Sequence, residues 1–70
     1  MSKTAGVVID DWKLPIFQRH LNEAGFAYTQ FPGLTKGTLL LKVTTDWISA
    51  LRPVVEAAQQ EAHNARHHSH

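Results

Sequence analysis

The spacing of the apolar residues changes along the chain, and this change restricts the fold more than any other feature. Residues 6–10 form a short β-branched run, which favours a strand. Residues 26–31 are aromatic and β-prone, and residues 38–44 alternate between two sets of side chains, as in a strand with one buried face. Residues 14–24 and 48–62 instead repeat their apolar side chains every three or four positions, which predicts two amphipathic helices. The predicted order of elements is therefore β-α-β-β-α, an α+β fold.

Residues with special backbone preferences support these boundaries. Gly25 stands where a left-handed residue is expected to end the first helix. One of residues 10–11 and one of residues 45–46 are suited to cap the first and the second helix. Pro53 lies about two turns into the second helix, where we expect it to bend or restart the helix.

The order of elements matches a ferredoxin-like domain that lacks its last strand, and this resemblance is one of topology only. It predicts a three-stranded mixed sheet of order 1-3-2, in which strands 1 and 3 pair in parallel through a right-handed crossover. Both helices are expected on one face of the sheet, which leaves the opposite face open. Residues 1–65 are predicted to form a single domain, and residues 66–70 a histidine-rich, disordered tail.

A chain of this size has a marginal core. Seventy residues bury only about 60% of the surface that the unfolded chain exposes. Small scaffolds usually gain stability from disulfides, a structural metal or a partner subunit. The chain has no cysteine, which excludes disulfides and thiolate zinc sites. We therefore expect a protein partner, and a homodimer before any other.

The charge balance and the absence of long apolar runs exclude several classes of partner. Seven Lys and Arg residues against six Asp and Glu residues give a formal charge of +1, which makes nucleic-acid binding an unfavoured hypothesis. No segment approaches the roughly 18 apolar residues of a membrane span. No signal-peptide pattern is present at the N-terminus, so we expect a cytoplasmic protein.

The exposed edge and open face of the predicted sheet give the main functional hypothesis. Residues 7–9 contain no proline or lysine that would prevent pairing with another chain. Trp12 and Trp47 lie at helix starts, where tryptophan either fixes the helix to the core or anchors an interface. The expected interface comprises Val7, Val8, Ile9, Trp12, Phe31, Leu40 and Trp47. We expect a small interaction or regulatory module, such as an adaptor or inhibitor of bacterial or phage origin. The alternative is that one of the chain's own termini covers the edge.

The loop between the second and third strands is an alternative site. It contains two glycines, two hydroxyls and a lysine, and its backbone could present N–H groups to an anion. Thr35, Lys36 and Thr38 would be the binding residues. The competing interpretation is a hairpin loop whose glycines provide positive φ angles.

The C-terminal histidines are a second alternative. His63 and His67 are four residues apart, the spacing of a two-histidine site on a helix, and His68 or His70 could add a ligand. Such a tail is expected to bind zinc or nickel weakly, unless it is only a solvated terminus. No set of nucleophile, base and acid is recognisable, so we predict no enzyme, no catalytic residue and no cofactor.

Overall fold

The computed structural model describes residues 3–67, without the side chains of residues 66 and 67. It contains three strands and two α-helices, with a short 3-10 turn before the first helix. These elements are β1 (Lys3–Asp10), the 3-10 turn (Asp11–Lys13), α1 (Leu14–Ala24), β2 (Ala27–Pro32), β3 (Thr38–Thr45) and α2 (Ile48–His67). The predicted α+β class and the order of elements are confirmed.

The sheet has the predicted order β1-β3-β2, but both pairings are antiparallel. The prediction of a mixed sheet with parallel strands 1 and 3 is wrong. The physical reason is the number of times that the connections reverse the direction of the chain. Helix α1 carries the chain back along the sheet, so β1 and β2 run in the same direction. The tight connection after β2 then reverses the chain, and β3 therefore runs opposite to both neighbours.

One face of the sheet forms the core with both helices. Val7 lies opposite Leu41, and Tyr28 lies opposite Val43, so these side chains share a face. The main cluster of buried side chains combines this face with residues of α1 and α2. Its members are Ile9, Leu41 and Val43 from the sheet, with Phe17, Leu21, Leu51 and Ala58 from the helices. The two helices therefore pack on the same side of the sheet.

The limits of α1 follow from its terminal residues. Gly25 ends the helix with φ of 80°, in the left-handed region that glycine adopts without a steric penalty. Its N–H donates to the carbonyl oxygen of Asn22 at 3.1 Å. Neither aspartate of the pair at residues 10–11 makes a side-chain capping bond to the 3-10 turn or to α1. The Asp10 carboxylate lies 3.6 Å from the Lys13 ammonium instead.

Helix α2 begins after a turn that Thr45 stabilises. The Thr45 hydroxyl accepts a hydrogen bond from the N–H of Trp47 at 2.9 Å. The helix is continuous from Ile48 to His67 and includes Pro53. Because a proline removes only its own N–H from the helical ladder, the rest of the helix continues through it. The helix also extends past residue 65, where the sequence predicted the domain to end, and residues 68–70 lie outside the described part.

Candidate interaction surface

The strand register places eleven residues on the sheet face opposite the helices. We call this set the open face, because no helix or strand among residues 3–67 covers it. Its members are Thr4, Gly6, Val8 and Asp10 on β1, Thr38, Leu40, Lys42 and Thr44 on β3, and Ala27, Thr29 and Phe31 on β2. Most of these side chains are exposed, and the remainder are half-buried. The open face is therefore available to a partner.

An apolar row crosses the open face from one edge to the other. It consists of Val8, Leu40 and Phe31, which lie opposite one another in register. Val8 is 64% exposed and Phe31 is 39% exposed, whereas Leu40 is half-buried. The ammonium group of Lys42 lies 4.8 Å from the centre of the Phe31 ring, within the range of a cation–π contact. The apolar row and this lysine are the most distinctive surface chemistry of the sheet.

Charge on the open face is confined to two residues. Lys42 lies on the central strand and Asp10 lies at the end of β1, and four of the remaining nine members are threonines. A sheet face exposed to water normally carries polar and charged side chains in alternation with the buried ones. Depletion of charge around aromatic and aliphatic residues is instead typical of the centre of a protein interface.

Strand β1 forms one edge of the sheet, and the structure divides its predicted interface residues between two faces. Val8 belongs to the open face. Val7 is half-buried on the helical side, and Ile9 is only 3% exposed within the core. Val7 and Ile9 therefore offer a partner their backbone rather than their side chains. The other edge strand, β2, is shorter and ends at Pro32, a residue common at sheet edges.

The two tryptophans lie apart from the apolar row. Trp47 is 71% exposed and adjoins Ile48 at the start of α2, beyond the end of β3. Trp12 lies in the 3-10 turn, with the Lys13 ammonium 5.5 Å from its ring centre. The structure thus brings Val8, Leu40 and Phe31 together, and it places Trp12 and Trp47 at separate positions.

Trp12 lines a groove of about 960 Å³ between the 3-10 turn and α2. The groove is bordered by Asp10, Trp12, Lys13, Val55, Glu56, Gln59, Gln60, Ala62 and His63. Within it, the Lys13 ammonium lies 3.2 Å from Oε1 of Gln59 and 3.6 Å from the Asp10 carboxylate. The contact between Lys13 and Gln59 joins residues 46 positions apart, so local sequence patterns could not have revealed the groove.

The loop predicted to bind an anion is closed by its own hydrogen bonds. The hydroxyl of Thr38 donates to the Thr35 carbonyl oxygen at 2.5 Å, and the N–H of Thr38 donates to the same oxygen at 3.1 Å. Both Thr38 donors are thus directed at the loop itself. Lys36 is exposed, and Gly37 has the positive φ expected of a hairpin loop, 84°.

The predicted histidine site falls mostly outside the described residues. His63 is exposed on α2 and borders the groove. The His67 side chain, His68 and His70 are not among the described parts of the chain. Within the described part, no three His, Asp or Glu side chains are grouped closely enough to hold a metal ion.

A polar cluster that the sequence did not predict joins the two helices. Glu61 of α2 contacts Arg19 of α1, and its Oε1 lies 3.0 Å from Nε2 of His20. The hydrogen bond with His20, and then the contact with the Arg19 guanidinium, lower the pKa of Glu61 below its usual 4.5. The acidic partner of His20 in this cluster is 41 residues away along the sequence. Nothing local to either residue could have indicated the pair.

The last two findings concern membrane crossing by the helices and similarity of the chain to known proteins. No helix in residues 3–67 combines the length and apolar character that crossing a membrane requires. The chain has no significant match among known protein families, curated proteins or solved structures.

Proposed function

We propose that this chain is a small, non-enzymatic protein-interaction module that binds a protein partner through its open face. The observation that carries the proposal is the apolar row of Val8, Leu40 and Phe31, which crosses a face with only two charged residues. Covering this row would remove apolar surface from water at a gain of roughly 25 cal/mol per Å². A regulatory role, as an adaptor or an inhibitor, is the form of function that such a binding surface supports.

The size of the face indicates the class of complex. Three strands about 4.8 Å apart, two of eight residues and one of six, give a face of at most roughly 14 by 27 Å, or about 400 Å². A standard interface buries about 800 Å² on each partner. The open face alone therefore suits a transient complex, and the exposed edge of β1 offers a place for additional contacts.

The finer fold assignment and the cellular setting are also proposals. The strand order 1-3-2 is the one expected of a ferredoxin-like domain without its last strand. In that topology the missing strand would pair with β1, the edge that we propose for additional contacts. A cytoplasmic location is the second of these proposals.

The proposal is tested by placing charge on the apolar row. We expect the double variant V8K/F31K to lose at least tenfold in binding, because two lysines cannot be desolvated against an apolar partner surface. Binding is measured by capture of a second, differently tagged copy and of proteins from an extract of the source cells.

Leu34 provides the matched control. It is a fully exposed apolar residue in the loop after β2, so L34K also replaces an exposed apolar side chain by lysine, but away from the open face. We expect L34K to bind like the wild type. A folded V8K/F31K variant, checked by circular dichroism, that captures the same proteins as the wild type would reject the proposal.

A further inference from the structure

We infer that the partner of the open face is a second copy of this chain, packed face to face about a two-fold axis. This inference rests on the function proposed above and specifies its partner. The axis runs across the strands and passes through the apolar row. Each copy then presents the same surface to the other, as a closed dimer requires.

The position of Lys42 selects this axis. A two-fold axis parallel to β3 would place β3 of one copy over β3 of the other, with each residue facing its own counterpart. Lys42 would then face Lys42 of the second copy. Juxtaposed like charges in an interface weaken association. An axis perpendicular to the strands at Leu40 instead places the residues before Leu40 in one copy over the residues after Leu40 in the other. Each Lys42 then lies two residues from the axis on opposite sides, about 13 Å from its copy.

The same axis gives Lys42 an acidic neighbour. Thr38 lies on the opposite side of the apolar row from Lys42, and it is paired with Asp10 at the end of β1. The two-fold rotation places Lys42 of one copy over Thr38 and Asp10 of the other copy. The register places Asp10 at the corner of the open face. Its side chain is 53% exposed, and its carboxylate also contacts the Lys13 ammonium at 3.6 Å. The dimer thereby forms two equivalent Lys42–Asp10 pairs.

The apolar row is self-complementary about this axis. Val8, Leu40 and Phe31 each meet their own counterpart, and two packed sheets about 10 Å apart bring such side chains into contact. Gly6 lies one row away from Val8, in the same row as Lys42, and has no side chain. This leaves room for the side chain of Asp10 from the other copy. With about 400 Å² covered on each copy, we expect a dissociation constant on the order of micromolar.

Charge reversal distinguishes this dimer from other arrangements. K42D places two acidic residues together and D10K places two basic residues together, so we expect each to weaken dimerisation at least tenfold. The double variant D10K/K42D restores opposite charges and is expected to return the dissociation constant to within about threefold of the wild type. The measurement is sedimentation equilibrium at several protein concentrations and at low salt, where such pairs are least screened.

Two surface variants are the controls for net charge. K36D changes an exposed lysine in the loop, and D11K changes an exposed aspartate beside Asp10. We expect both to dimerise like the wild type. Circular dichroism establishes that every variant is folded.

Different results overturn different parts of the argument. A wild-type protein that stays monomeric at 1 mM, while V8K/F31K loses another protein partner, overturns the dimer and supports the proposed function. A dimer that V8K/F31K abolishes but D10K/K42D does not restore overturns this two-fold arrangement alone. A dimer that persists unchanged in V8K/F31K overturns both the face-to-face arrangement and the proposed use of the open face in self-association.

Discussion

Gly33 and Gly37 bracket the loop between β2 and β3 and are required there for different reasons. A Cβ atom on Gly33 would lie 2.1 Å from the Thr38 hydroxyl oxygen and 2.8 Å from the Thr38 backbone. Gly33 also donates its N–H to the carbonyl oxygen of Thr38 at 3.0 Å, which fixes this close approach. Gly37 has open space around it, but its φ of 84° is rare for other residues.

We therefore expect G33A to destabilise the protein more than G37A. The clash in G33A should lower the free energy of unfolding by about 2–3 kcal/mol, as overpacking does in closed sites. G37A meets only backbone strain, which costs about 1 kcal/mol. Urea denaturation followed by tryptophan fluorescence compares the two variants. Equal losses of stability would show that the Gly33–Thr38 approach is not a tight contact.

At the level of elements, α1 and α2 are joined by a polar contact as well as by the core. Glu61 of α2 contacts Arg19 and His20 of α1, and these contacts lower its pKa in the folded protein. A carboxyl group whose pKa is lower in the folded state contributes stability above its unfolded pKa. This contribution is lost as the pH falls through the lower, folded value.

We expect E61Q to remove this part of the pH dependence. Above the usual carboxyl pKa of 4.5, the wild type should be more stable than E61Q, and the difference should shrink as the pH is lowered further. The measurement is urea denaturation of both proteins between pH 3 and 7. E56Q is the control, because Glu56 contacts Arg52 on the exposed surface of the same helix. A difference between wild type and E61Q that is constant across this range would contradict the expectation.

Sequence periodicity predicted the elements well because local physics determines them. The apolar stripe of residues 14–24 and the glycine after it place α1 almost to the residue. Strand β1 is longer than predicted, because residues 3–5 pair with β3, which the local sequence does not show. The direction of pairing was mispredicted although the connections determine it.

The candidate site was predicted only in part, because its members come together through tertiary structure. Alternation along a strand separates Val8 from its neighbours Val7 and Ile9, which the sequence analysis treated as one edge. Leu40 and Phe31 join Val8 only through the register of three strands. The contacts of Lys13 with Gln59 and of His20 with Glu61 link residues more than 40 positions apart, and no local pattern encodes them.

On the scale of the whole molecule, the protein consists of one sheet layer and one helix layer around a small core. Among the described residues, eight apolar side chains are buried, and two of these are alanines. Domains of this size have a net stability of only a few kcal/mol. Each large buried side chain therefore contributes a substantial fraction of the free energy of unfolding.

We expect L41A and L40A to separate the core from the open face. Leu41 is completely buried, so its truncation should cost about 3 kcal/mol in the free energy of unfolding. Leu40 precedes Leu41 and lies on the open face, where it is only half-buried. Its truncation should therefore lower the free energy of unfolding by about 1 kcal/mol. Thermal unfolding at low protein concentration, where dimers dissociate, measures the comparison. An L40A loss as large as that of L41A would mean that the open face is packed within the monomer.

The central position of β3 also governs when the sheet can be completed during synthesis. Strand β2 meets β3 after a connection of residues 33–37, whereas residues 11–37 separate β1 from the same partner. As the chain leaves the ribosome, β1 emerges first and has no strand to pair with until residue 45 follows. A translational pause within this interval would prolong the exposure of its β-branched segment and favour aggregation of the nascent chain.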